Sequence, residues 1–534
     1  MVKVNPEKLA INEILGQKIN SIKGLEEQKR RLSKKYKIST LLNSTILAEY
    51  RALLVLGRKQ DDRLKRLLRK RAVRTLSGIA PVAVLTKPYP CPGHCAYCPN
   101  EKSVPVSYLA NEPAVMRAIR CQYDPYKQVT LRLKALEDNG HEPNKIEIIV
   151  IGGTWSYLPK KYKYWYILNC FQAVNDYNKN RTRSEIKKLS APIKPSLSLP
   201  ELEKCLRREQ ARNEKAAYRI IGLTLETRPD YINQKELLEM RVLGCTRVEM
   251  GVQAPDDKIL KLNRRGHGVA EIIAATKLLK NYGFKVTYHI MPALPGSSPA
   301  QDLEMFKRLF NSADYQPDQI KFYPTVVTAG TLLYKWFKEG RYKPYSDKQL
   351  QGLIIKAKAA VPEYVRIIRL VRDIPGESIV AGNLITNLRQ VMKDRGVKCR
   401  CIRCREAKEI KFSRKDYHLK IEIYEASGGQ EYFISAVSRD DEILYGFCRL
   451  RLDNDSSIAP ALIRELHVYG ELVPMGGRKK VQHRGLGKEL MAKAEMIVKQ
   501  KRLAKVAVIS GVGVRGYYRK LGYKRVGSYM MKRI

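Results

Sequence analysis

Cys91-Pro92-Gly93-His94-Cys95-Ala96-Tyr97-Cys98 follows closely on the apolar, β-branched run Ile79–Thr86 and puts three thiols on one loop. Three thiolates fall one short of a structural zinc site, which takes four ligands, unless His94 serves as the fourth. A [4Fe–4S] cluster normally takes four cysteines as well. With only three, one iron is left open, and an open iron can be chelated by a small-molecule cofactor. The setting agrees with free thiols. No stretch approaches the roughly 20 apolar residues of a membrane span. Met1–Asn20 is broken by Lys3, Glu7, Lys8, Glu13 and Lys18, unlike the unbroken apolar core of a signal peptide. A cytoplasmic protein without membrane contact is expected, and there close cysteines suggest metal rather than disulfides. Cys121, Cys170, Cys205, Cys245 and Cys448 are scattered and read as small buried apolar residues.

Around the cysteine loop, from about 76 to 325, short strand-like runs alternate with helical patterns. The runs are Ile79–Thr86, Ile146–Ile151, Ile220–Leu225, Thr246–Val252, Val286–Met291 and Gln319–Tyr323. The helical patterns include Ala114–Leu136, Tyr162–Asn175, Lys235–Leu243, Val269–Tyr282 and Asp302–Phe310. Six successive βα units imply an α/β fold with a parallel sheet and helices outside it, as an open sheet or a partial barrel. Ligands of such sheets gather at the carboxyl ends of the strands, where Gly152-Gly153, Glu226-Thr227-Arg228, Gln253 and Met291–Gly296 fall. The glycines let backbone approach a ligand without an intervening side chain. Arg181–Pro200, rich in Pro, Ser and Lys, reads as an inserted loop.

The formal charge is +47, from 100 Lys/Arg against 53 Asp/Glu. A surplus of that size points to a polyanionic partner, nucleic acid first. Residues 1–75 hold 20 Lys/Arg and 7 Asp/Glu. Leu53, Leu56, Leu64, Leu67 and Leu68 recur there at helical spacing, so a small helical region with a basic, nucleic-acid-facing surface is expected.

Beyond about residue 411 the texture changes. Leu419–Tyr424, Tyr432–Val437, Ile443–Leu452 and Ala461–Val468 look like a meander, followed by a glycine turn, a helix from Lys488 to about Lys501 and a strand Lys505–Ser510. The turn Gln482-His483-Arg484-Gly485-Leu486-Gly487 can aim backbone N–H groups and a helix N-terminus at an anion such as a pyrophosphate. Between the two regions, Cys399, Cys401 and Cys404 form a second triad. It reads as a Zn2+ site pinning the linker, with His418 or His467 as fourth ligand.

The C-x3-C-x2-C loop behind the first strand of a βα barrel resembles the radical S-adenosylmethionine superfamily, with a partial parallel (βα)6 barrel. That resemblance implies a [4Fe–4S] cluster on Cys91, Cys95 and Cys98, and S-adenosylmethionine beside Gly152, Gly153, Glu226, Arg228 and Gln253. The turn at Gln482–Gly487, with Tyr517-Tyr518 near the carboxyl end, resembles the GNAT acetyltransferases. It implies acetyl-coenzyme A on Gln482, His483, Arg484, Gly485, Leu486 and Gly487, and Tyr517 or Tyr518 as the acid that protonates the departing thiolate. Both together, with Asn111–Ala118, Arg372–Pro375, Glu465–Gly470 and Ile509–Gly513, resemble the catalytic subunit of the elongator complex. The implied activity is carboxymethylation of carbon 5 of the wobble uridine, with the tRNA anticodon stem-loop as partner. The rival is a protein lysine acetyltransferase with a structural iron–sulfur domain. The expected organisation is a basic tRNA-binding region at 1–75, a radical domain at 76–390, a zinc linker at 391–411 and a mixed α/β acetyltransferase domain at 412–534.

Overall fold

Alternating apolar residues with helix signals between them build the first sheet. The computed structural model describes residues 5–70, 75–178, 181–408, 410, 417–470 and 485–534. Seven parallel strands stand side by side in chain order: β1 (Ala80–Leu85), β2 (Lys145–Ile151), β3 (Arg219–Thr227), β4 (Arg247–Gln253), β5 (Lys285–Ile290), β6 (Gln319–Phe322) and β7 (Arg366–Arg369). The helices between them cover one face, as right-handed crossovers require. On that face Val248, Met250, Val286, Tyr288, Ile320 and Phe322 are buried in the core. Successive side chains of a strand alternate between faces, so the other face takes Glu147, Thr224, Glu226, Arg247, Glu249, Thr287, His289, Gln319 and Lys321. This partial barrel has a polar lumen.

Six βα units were expected, and the structure has one strand more. β7 is only four residues, Arg-Ile-Ile-Arg, and offers no apolar run long enough to register as a strand. The single helix expected over Ala114–Leu136 is two, Pro113–Arg120 and Pro125–Asp138, divided where Gln122 and Tyr123 take positive φ before Pro125. The stretch read as a loop from Arg181 to Pro200 holds the helix Arg183–Lys188, started by a capping box between Thr182 and Glu185.

Four helices, Pro6–Gly16, Ile22–Lys35, Asn43–Val55 and Asp62–Leu68, precede the barrel and close on their own core of Ile11, Ile14, Leu25, Leu32, Ile46, Leu47 and Leu64. Leu56, expected on the apolar face, is 81% exposed because the helix before it ends at Val55.

The second sheet runs in the order β13-β14-β12-β11-β10-β9-β8, from β8 (Tyr417–Ala426), β9 (Gly429–Ser438), β10 (Leu444–Leu452), β11 (Ala461–Val468), β12 (Lys505–Val508), β13 (Lys524–Val526) and β14 (Tyr529–Arg533). The meander is antiparallel, as expected, and the terminal hairpin β13–β14 is an addition. β11 and β12 run parallel and pair only over Ala461–Ile463 and Val506–Val508. Beyond that the strands separate, and the helix Leu486–Gln500 starts from Gly485.

This second unit docks on the barrel at the amino ends of its strands, opposite the cysteine loop. His467 Nε2 donates to the Ser77 carbonyl (2.8 Å), just before β1. Arg366, which opens β7, donates to the Tyr469 hydroxyl (2.9 Å) and pairs with Glu406 (2.8 Å). At the centre Arg464 makes a two-pronged bond to Asp318 (2.9 and 2.6 Å), which precedes β6, and donates to the Phe284 carbonyl (2.7 Å), which precedes β5. A Cβ on Gly511 would lie 1.9 Å from the carbonyl oxygen of Ile221 in β3. That neighbour is backbone and cannot rotate away. Gly511→Ala is therefore expected to cost about 1–3 kcal/mol or more by forcing the two units apart, read as a lower thermal midpoint. An unchanged midpoint would refute this close approach.

Candidate active site

The cysteine loop is held by both of its neighbours. Ala96 N–H donates to the Asn263 carbonyl (3.0 Å) in the loop after β4, and the Ala96 carbonyl accepts from Leu333 N–H (2.8 Å) in the segment after β6. Asn263 is itself fixed by donating to Ile259 (2.8 Å) and Pro295 (2.9 Å) carbonyls. Cys91, Cys95 and Cys98 are all partly accessible. Burial, and then the neighbouring Cys95, push the Cys98 thiol up to about 12.

Two arginines frame the loop. Arg265 is buried, donates to the Gly251 carbonyl (2.6 and 3.2 Å) and reaches Cys95 Sγ at 3.4 Å. Among the described residues no carboxylate pairs with it. A buried guanidinium without a counter-ion is costly unless an anionic ligand completes it. Arg228 is locked to Asp230 by two 2.9 Å bonds, while its remaining Nη1 is buried without a partner. A Cβ on Gly93 would lie 2.2 Å from that nitrogen, so a side chain there would displace the guanidinium from its place beside the loop. The ring nitrogens of His267 and Oε1 of Gln253 are also buried and unpartnered. Gln253 has a φ of +69°, where β4 departs from regular pairing with β5. Gly152 (φ +125°) packs against Thr86, whereas the Cβ position of Gly153 (φ +77°) is open. Three thiols, a lone buried cation and several buried unpaired polar atoms at one mouth fit a [4Fe–4S] cluster with a chelating, carboxylate-bearing cofactor.

Below this lies a charged group that the strand-end reading missed. His289 Nε2 donates to Glu249 (3.0 Å) and its Nδ1 lies 3.5 Å from Glu226. Lys321 donates to the same Glu249 oxygen. Arg247 bridges Glu147 (3.1 Å) and Glu249 (3.8 Å), and Tyr108 donates to Glu226 (3.4 Å). Burial raises the Glu249 carboxyl, but Lys321, His289 and Arg247 outweigh it and hold it below the carboxylate range. Burial pulls Lys321 down, and Glu249 more than restores it, so Lys321 stays cationic. Ligand atoms of Glu226, Glu249 and His289 lie within 4.8 Å of one another, yet Lys321 and Arg247 already balance Glu249, so this is a charge network and not a cation cage. The signal was in the sequence. Glu249, His289 and Lys321 are charged or polar residues at alternate positions inside otherwise apolar strands, which marks a polar lumen.

At the other unit, Gln482, His483 and Arg484 lie outside the described residues. Gly485, in left-handed conformation (φ +93°), starts the helix Leu486–Gln500 where β11 and β12 part. A Cβ on Gly487 would lie 3.0 Å from Tyr517 Oη, which is buried and has no partner. Burial, then Cys448, raise the Tyr517 hydroxyl to about 12. Tyr518 is 6% exposed and sits edge-on between Tyr517 and Tyr523, a core position.

The second triad gathers Sγ of Cys399, Cys401 and Cys404 within 4.8 Å. Hydrogen bonds from Cys399 and Cys404 hold Cys401 well below the usual thiol range, and Lys358 Nζ (3.7 Å) approaches Cys404. The Ile402 N–H donates to the Val365 carbonyl (2.9 Å), tying the triad to the barrel. Neither expected fourth ligand joins it. His418 pairs with Asp441 (3.2 Å), and His467 is spent on Ser77 (2.8 Å). Among the described residues no other His, Cys, Asp or Glu completes the set.

Comparison with known proteins agrees with both halves. The radical SAM superfamily profile matches residues 89–309, the radical SAM C-terminal domain 317–396, and the acetyltransferase (GNAT) family 384–523. A tRNA uridine(34) acetyltransferase from Dehalococcoides mccartyi is 44% identical over 485 residues, covering 87% of this chain and all of that protein. Human elongator complex protein 3 is 39% identical over 494 residues, 87% of this chain and 86% of its own. The solved structure of archaeal Methanocaldococcus infernus Elp3 with an N-terminal deletion superposes with a TM-score of 0.71 at 39% identity, covering 86% of this chain and 99% of that one.

Proposed function

This chain belongs to the family of elongator complex protein 3 and the tRNA uridine(34) acetyltransferases, and we propose that it carboxymethylates carbon 5 of the wobble uridine in tRNA. The observation that carries the reading is the three-thiol loop, with the unpaired Arg265 beside it, above a charged lumen in a barrel that also bears an acetyltransferase fold. When bound, a [4Fe–4S] cluster with S-adenosylmethionine supplies hydrogen abstraction, and acetyl-coenzyme A supplies the two-carbon unit. Cys91, Cys95 and Cys98 would hold the cluster. Arg265 and the free arm of Arg228 would receive a carboxylate, Gln253 and Glu226 would accept from hydroxyl or ammonium groups, and Gly152-Gly153 would let the backbone approach. The charge of +47 suits an RNA substrate, and an anticodon loop presents its bases unstacked. Among the described residues no helix is long and apolar enough to cross a membrane, and a cytoplasmic site of action is part of the proposal.

Tyr517 would bind beside the thioester and hold a proton at Oη. With its hydroxyl raised to about 12 it is protonated at neutral pH and can donate to a departing thiolate. Tyr517→Phe is expected to slow acetyl-coenzyme A turnover by about 100-fold or more, with KM little changed. A KM effect without a kcat effect would reassign Tyr517 to binding. The Cys399, Cys401 and Cys404 triad would supply three ligands of a structural Zn2+, whose fourth ligand would not be a His, Cys, Asp or Glu side chain of the described residues. About one zinc per chain is expected by elemental analysis, falling in Cys401→Ser, whose thermal midpoint should fall with it. Metal-free, fully stable protein would remove zinc from the account.

The decisive test is anaerobic reconstitution with tRNA, reductant, S-adenosylmethionine and acetyl-coenzyme A, followed by mass spectrometry of nucleosides. Carboxymethyluridine that requires every component and Cys95 supports the reading. Unmodified uridine with acetylated protein lysines, indifferent to Cys95→Ala, would replace it with the protein acetyltransferase.

A further inference from the structure

Three tyrosines at the barrel mouth have no part in the sites above. Each follows one of three adjacent strands: Tyr89 comes after β1, Tyr157 lies in the turn Trp155–Tyr157 after β2, and Tyr231 in the turn Pro229–Tyr231 after β3. Their rings form a continuous edge-to-face row, Tyr89 to Tyr157 at 6.0 Å and 62°, Tyr157 to Tyr231 at 5.9 Å and 86°. Tyr157 is 41% exposed, a large aromatic surface left in water beside a barrel whose core is otherwise closed. Among the described residues none of the three hydroxyls makes a hydrogen bond, so a need to satisfy buried polar atoms does not account for them. Lys87 lies two residues before Tyr89 and Lys161 four after Tyr157; both are exposed and neither is in an ion pair among the described residues, the Lys87 ammonium lying 5.0 Å over the Tyr162 ring and Lys161 donating to the Ser196 carbonyl (3.3 Å). The nearby carboxylate, Asp230, is already neutralised by Arg228.

π surface flanked by cations that no carboxylate neutralises is what single-stranded nucleic acid recognises, because every base has a face to stack and every linkage a phosphate to neutralise. A purely apolar partner would not need the lysines, and a duplex would not offer free faces. We propose that Tyr89, Tyr157 and Tyr231 form the platform on which unpaired bases flanking the target uridine stack, with Lys87 and Lys161 taking the adjoining phosphates. This rests on the reading of tRNA as substrate and adds which residues seat the anticodon loop at the mouth.

The test uses the full chain and an anticodon stem-loop RNA carrying 2-aminopurine next to the wobble uridine, with fluorescence quenching and anisotropy as readouts. Wild type is expected to bind and to quench the probe by stacking. Tyr157→Ala, at an exposed position, is expected to weaken binding about fivefold or more and to abolish the quench. Tyr157→Trp should restore both. The dependence of affinity on salt should keep its slope in Tyr157→Ala and lose roughly 0.7–1 of it in Lys87→Gln. Affinity within twofold of wild type with the quench retained in Tyr157→Ala would overturn the platform, and so would equal loss in Tyr157→Trp. A wild-type chain that fails to bind the stem-loop would sink the tRNA reading itself and the platform with it.

Discussion

Asp318→Ala is expected to destabilise the protein by about 3–5 kcal/mol and to loosen the acetyltransferase unit from the barrel. Asp318 is fully buried at the junction. It accepts both prongs of Arg464 (2.9 and 2.6 Å) and the Val286 N–H (2.8 Å), and it lies 3.6 Å from Arg449. Glu431 takes the other edge of Arg464 (2.9 Å), and Glu465 takes Arg449 (3.1 Å). Removing one carboxylate leaves two buried guanidiniums under-compensated, and that desolvation cost makes the effect large. Denaturant unfolding followed by circular dichroism would measure it, and limited proteolysis between the units would report loosening. A change below about 1 kcal/mol would mean that water enters the junction.

The same network sets an acid limit. Burial raises Asp318, Glu431 and Glu465, but their arginines and lysines outweigh it and hold all three below the carboxylate range, Glu465 at about 2. Folded-state values below the unfolded ones mean that this stabilisation is complete above the ordinary carboxylate range, about 4. It is lost as the pH falls through the folded values. The junction should therefore hold near neutrality and fail in strong acid.

Lys321→Met is expected to reduce uridine modification by about 100-fold or more. Lys321 is foremost among the groups that keep Glu249 ionised in the lumen, and it shares that carboxylate with His289, whose other ring nitrogen faces Glu226. Stability and chemistry can be separated by a double-mutant cycle with Glu249→Gln. The pair Lys321→Met, Glu249→Gln should recover the thermal midpoint, because no under-compensated buried carboxylate remains. Activity should stay low if Lys321 serves the reaction. Recovery of both would restrict Lys321 to charge balance.

The radical half of the chain was legible because its signals are local. Cys91, Cys95 and Cys98 lie on one loop, Gly152-Gly153 follows β2, and Glu226 and Gln253 stand at the ends of β3 and β4, strands that declare themselves by apolar runs. The lumen group was visible only as polar interruptions within those runs, and without strand pairing nothing says that Glu249, His289 and Lys321 meet. β7 was missed because two isoleucines bracketed by Arg366 and Arg369 do not look apolar enough, although pairing with β6 makes the four residues a strand.

The order of strands and helices, the surplus of positive charge and the spacing of the three thiols behind the first strand are written in short windows of residues, because thiol spacing, glycine turns and hydrophobic period are nearest-neighbour properties. Tertiary structure alone separated the surroundings of Tyr517, whose hydroxyl lies beside Gly487, from those of Tyr518, which packs in the core. It also withdrew His418 and His467 from the second triad, each having a stronger partner at hand. It placed the acetyltransferase unit under the barrel, where Arg464 reaches across 146 residues of chain to Asp318. Those outcomes are competitions among distant groups for the same buried partner, and a linear sequence does not contain the distances that decide them.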